Sequence, residues 1–89
     1  MIYASQGSKQ LALKMRSRVL SSTRTGFFET FTVEVKTDEG ERVTPTVGYD
    51  HSGKGMACSY NRPGMSRERE TAVSITALDC VSRHIEERG

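Results

Sequence analysis

His51, Cys58, Cys80 and His84 are the residues of this 89-residue chain whose types could together hold a metal. Two thiols and two imidazoles make up a tetrahedral zinc set. Cys80 and His84 stand i,i+4, so one helix face can aim both at a common point. The spacing is otherwise poor. His51-x6-Cys58 and Cys80-x3-His84 both lack the tight Cys-x2-Cys knuckle that makes such a pattern specific. Cys80 also stands in the middle of an apolar helical stripe, where a free thiol simply packs. The reading is of two packed cysteines, with no metal and no cofactor. Cys58 as nucleophile with His51 as base would need the intervening turn to bring them together, and nothing supplies an oxyanion site or a cleft. No catalytic residue is assigned.

Binding residues are easier to find. Gly48 to Gly55 is a glycine-rich stretch with one lysine, but it lacks the G-x-x-x-x-G-K-[ST] spacing and joins two strands. It reads as a hairpin tip presenting Tyr49, His51 and Lys54. Asn61, Arg62, Arg67 and Arg69 gather where the last strand meets the long helix, and guanidinium groups beside a helix N-terminus make an anion site. Tyr60 adjoins them. Aromatic and arginine residues outside the core are the usual anchors of an interface. The expected partner surface is therefore Tyr49, His51, Lys54, Tyr60, Arg62, Arg67 and Arg69. The alternative is a nucleic-acid-binding module using Lys14, Arg16 and Arg18 together with Arg62, Arg67 and Arg69 of the strand–helix junction; only an extended segment would put the first three in a row on one surface.

The elements that must position these residues centre on Ser66 to Glu87. Ser66 caps a helix of about five to six turns, and Glu68 and Glu70 suit its positive end. Val73, Ala77, Leu78, Cys80, Val81 and Ile85 form its apolar face; Thr76, Asp79, Arg83 and Glu86 lie opposite. Such a face needs a sheet. Residues 27–37 alternate with Phe31, Val33 and Val35 inward, and Asp38-Glu39-Gly40 closes a turn. Residues 41–49 return as a second strand, with Pro45 forcing an edge, a bulge or a break. After the turn at 50–54, residues 55–61 make a third. Residues 8–22 fit both periods: Leu11, Ala12, Met15 and Val19 as a helical stripe, or Lys14, Arg16 and Arg18 along one side of a strand. Composition favours the helix. The expected fold is α+β, a single small domain ordered α-β-β-β-α, with a three-stranded antiparallel sheet packed against the C-terminal helix and residues 1–7 as a loose leader.

Composition narrows the function classes. One domain with 35% hydrophobic residues and no Trp has a thin core, and a net charge of +2 is too small to imply nucleic acid by itself. No apolar run reaches the roughly 18 residues of a membrane span. Without an export signal, two cysteines read as reduced thiols in the cytoplasm. The α-β-β-β-α order is similar to that of double-stranded-RNA-binding domains. Here, however, the first hairpin turn is Asp38-Glu39-Gly40-Glu41, and the second helix opens with Arg67-Glu68-Arg69-Glu70. The compact format of a short meander and one long helix resembles small phage-encoded inhibitor proteins, including anti-CRISPR proteins. That resemblance implies a non-enzymatic protein that docks on, and inhibits, a protein or nucleoprotein partner.

Overall fold

The computed structural model describes residues 6–88. In chain order the elements are α1 (Gln6–Leu13), β1 (Arg16–Thr25), β2 (Phe28–Lys36), β3 (Arg42–Val43), β4 (Thr46–Asp50), β5 (Gly55–Cys58) and α2 (Arg67–Arg88). The fold is α+β, with an antiparallel sheet packed against the long C-terminal helix, as the sequence predicts. The strand count differs. Five strands are present among the described residues, ordered β1-β2-β4-β5, with β3 also paired to β2. Of the expected leader, residues 1–5 lie outside the described residues, while Gln6 and Gly7 belong to α1.

The extra strands arise at two places. Segment 8–22 is neither one helix nor one strand, because its two halves take different partners. The helix formers up to Leu13 make α1, whose end tightens through amide bonds from Lys14 to Leu11 and from Met15 to Ala12, both 3.0 Å. From Arg16 onward the chain turns to Ser, Thr and Val and pairs along the whole of β2. The register shifts between Val19 and Ser21, so the edge strand carries a bulge at Leu20. A two-residue turn, Gly26-Phe27, closes the hairpin with Gly26 at φ +62°, a position suited to glycine. The second place is Pro45, which divides the expected strand 41–49 into β3 and β4. It has no N–H to give, but its carbonyl accepts the Val33 amide at 3.1 Å.

One side of the sheet is the core. Phe31, Val33, Val35, Val43 and Val47 are buried against Ala72, Val73, Ala77, Cys80 and Val81 of α2. Ser66 caps α2 as expected, its hydroxyl accepting the Arg69 amide at 3.2 Å. The helix buries more of its circumference than one face. Thr76, expected on the solvent side, is buried and donates to the Ala72 carbonyl at 2.8 Å. The reason is α1, which packs on α2 rather than on the sheet. The Ser8 hydroxyl ties the two helices by donating to the Glu68 carbonyl at 3.1 Å. Leu78 and Ile85, on the far flank, are only partly buried.

Two arginines fasten α2 to the ends of β2. Arg69 grips Asp38 through two bonds of 3.0 Å, and Arg88 grips Glu29 at 3.0 and 2.7 Å. Glu29 points to the core side and is 2% exposed. His51 binds the same carboxylate at 2.8 Å, and Arg88 stacks 5.6 Å from the Phe31 ring centre. Arg88 above all, with His51 and Ser22, holds the Glu29 carboxyl down at about 2 despite its burial.

Candidate functional site

The two clasps separate the residues expected to form one partner surface. His51 sits at the Glu29 end of β2 and Arg69 at the Asp38 end, about 30 Å apart at the rise of a strand. The structure brings Tyr49, His51 and Lys54 together at one end, and Tyr60, Arg62, Arg67 and Arg69 at the other. Most already have work inside the fold. Tyr49 packs on the core edge with its ring 4.6 Å from that of His51, and Tyr60 also packs against the core. Arg62 pairs with Glu41, and Arg69 with Asp38. Lys54 is exposed on the hairpin tip at φ +56°, and Arg67 is exposed on the first turn of α2.

The possible metal set is dispersed among other tasks. His51 is bound to Glu29, and His84 packs edge-on against Phe31 at 5.8 Å. Both thiols are free; Cys80 lies in the core. Burial pushes the Cys58 thiol up, with a hydrogen bond from Ser74 opposing, so its environment disfavours the thiolate. Among the described residues no three His, Cys, Asp or Glu side chains are grouped to hold a metal.

The sheet's open face presents a different arrangement. Arg16 of β1 lies directly across from Lys36 of β2, and Lys36 directly across from Arg42 of β3. Three cations thus stand in register in a row across three strands. All three are exposed, and among the described residues none of them makes an ion pair. Arg18, the next outward residue of β1, pairs with Glu34 at 3.1 Å. Arg16, Arg18, Lys36 and Arg42 line a shallow recess of about 150 Å³ with Ser17 and Glu34. In the nearby acidic turn Arg69 holds Asp38 and stands 3.7 Å from Glu39, and Arg62 holds Glu41, so these acids have partners other than the row. Like charges directly opposed across strands destabilise a sheet. Lys14 stands just before the row, exposed in the turn between α1 and β1.

Further along the same face, Ser21, Thr23, Thr30, Thr32 and Thr46 offer hydroxyls, and Phe28 closes the far end. Phe28 is 53% exposed, and Phe27 in the adjoining turn 70%. The Phe28 ring lies over Gly48, so near that a Cβ there would come within 2.9 Å of it. Sequence reasoning places Arg16 and Arg18 in the alternative nucleic-acid group but misses Lys36 and Arg42. Both point outward in the alternating pattern. The missing signal was the pairing of β1 with β2.

This chain matches no protein-family model, no curated protein and no solved structure significantly. No helix among the described residues is long and apolar enough to cross a membrane.

Proposed function

We propose that this chain is a small non-enzymatic binding protein that docks on a nucleic-acid or nucleoprotein partner through the open face of its sheet. The observation that carries the reading is the in-register row Arg16–Lys36–Arg42. A fold gains nothing by opposing three unpaired cations, whereas a phosphate backbone laid across them turns the repulsion into attraction. Occupying the nucleic acid of a nucleoprotein in the cytoplasm is also how a protein of this size would inhibit one. The surface at Tyr49, His51 and Lys54, with Tyr60, Arg62, Arg67 and Arg69, is less suited to docking. Its cations are divided between two ends, and three of its side chains are committed to acids of the fold.

The test is fluorescence anisotropy with labelled oligonucleotides at low salt. Lys36→Glu is expected to weaken binding at least tenfold, while Lys54→Ala leaves it unchanged. The reverse pattern would move the contact to the hairpin tip and refute the open-face reading.

A further inference from the structure

Resting on that reading, we propose that the nucleic acid is single-stranded, with its phosphates on the Arg16–Lys36–Arg42 row and a base stacked on Phe28. Phe28 is the outward residue at the opposite end of β2 from Lys36, eight residues away, or about 26 Å. Its ring tip lies over Gly48, and the residue paired with Gly48 on the next strand is Ala57. These small residues let the aromatic settle against the sheet while more than half its surface stays open. An exposed aromatic at that position is a stacking platform, and stacking suits any base because each has a π-face.

The ground between the two ends fits the same ligand. Thr30 and Thr32 line the outer face of β2, with Thr23 and Ser21 directly across from them. Their hydroxyls can donate to phosphates and sugars without adding charge. The face is long enough for a segment in the range of about 4 to 16 nucleotides that such grooves accept.

A duplex fits less well. Reading its major groove takes a protruding helix or a two-stranded ribbon. The β1–β2 hairpin does not stand free as such a ribbon: β4 pairs with β2 as far as Phe28, and the Gly26-Phe27 turn lies at the opposite end of β2 from the cation row. The outward side of α2 carries the Asp79–Arg83 pair rather than a basic stripe. Bases stacked inside a duplex are also closed to Phe28.

The experiment measures binding of three labelled probes at low salt: a ten-nucleotide thymidine strand, a ten-base-pair duplex, and polyglutamate. Wild type is compared with Phe28→Ala, Phe28→Leu, Phe28→Tyr and Lys36→Glu, each confirmed folded by circular dichroism. The single strand is expected to bind tightest. Phe28→Ala and Phe28→Leu should weaken it about tenfold, in the range for loss of one stacked base, while Phe28→Tyr retains it. Phe28→Leu keeps an apolar cover on Gly48, so its loss of binding reports the ring and not the fold. Lys36→Glu should weaken every anionic probe. Tighter binding of the duplex or of polyglutamate, or indifference of the single strand to Phe28→Leu, overturns the single-strand proposal. If Lys36→Glu still weakens binding, the open-face reading survives that outcome. Indifference to Lys36→Glu, or no binding of any probe, overturns both.

Discussion

Lys36 stands between two arginines and among the described residues pairs with no acid, which has a consequence for the free protein. Lys36→Gln removes the middle charge and should raise the melting temperature. The gain is expected at a few tenths of a kcal/mol at low ionic strength, shrinking as salt screens the row. Thermal melts at two salt concentrations check this; a destabilised variant would mean that the cation has an internal partner. Glu29 makes the opposite case, a charge the fold depends on. Its folded pKa of about 2 lies below its ordinary value of 4.5, so the carboxylate's contribution is complete above about pH 5 and is lost as pH falls toward 2. Arg88→Gln removes the strongest cause of that depression. The variant should be less stable than wild type at neutral pH, because it leaves the buried Glu29 carboxylate without its arginine. Its stability should also fall less than that of wild type between pH 5 and pH 2. Parallel pH profiles would show that the Glu29–Arg88 clasp is not the acid-sensitive contact.

At the scale of elements, α2 is where local sequence and tertiary packing agree. Val81 is fully buried on the sheet side, and Leu78 is partly buried on the flank. Val81→Ala is therefore expected to cost about 2 to 3 kcal/mol and Leu78→Ala about 1, although leucine is the larger side chain. Denaturant melts giving the reverse order would rotate the helix away from the orientation described. The capping serine, the β2 alternation and the turns at 38–40 and 50–54 were legible because each signal lies within a few residues, whereas the Gly26-Phe27 turn was not read. The division of segment 8–22 was not legible. Its first half carries helix propensity, while its second half is extended only because β2 stands beside it. Thr76 was misplaced for a related reason, since a helical projection of α2 contains no trace of α1. The candidate site inherits these limits. Arg16 and Arg18 could be read as a cationic side of a strand, but their junction with Lys36 and Arg42 exists only in the assembled register.

For the molecule as a whole, the two faces of the sheet have separate duties. The inner face carries Phe31, Val33, Val35 and Val47 with the Glu29 clasp, and it holds α2, which in turn holds α1. The outer face is left uncovered by either helix, cationic at one end and aromatic at the other. With a net charge of only +2, general attraction to polyanions is weak, so affinity must come from that local arrangement. The most direct test is a salt titration of single-strand binding by wild type and by the triple variant Arg16→Gln, Lys36→Gln, Arg42→Gln. Three phosphate contacts predict a slope of log affinity against log salt of roughly −2 for wild type. The triple variant should lose most of that slope together with the binding. A wild-type slope near zero, or one that the triple variant retains, would contradict the account.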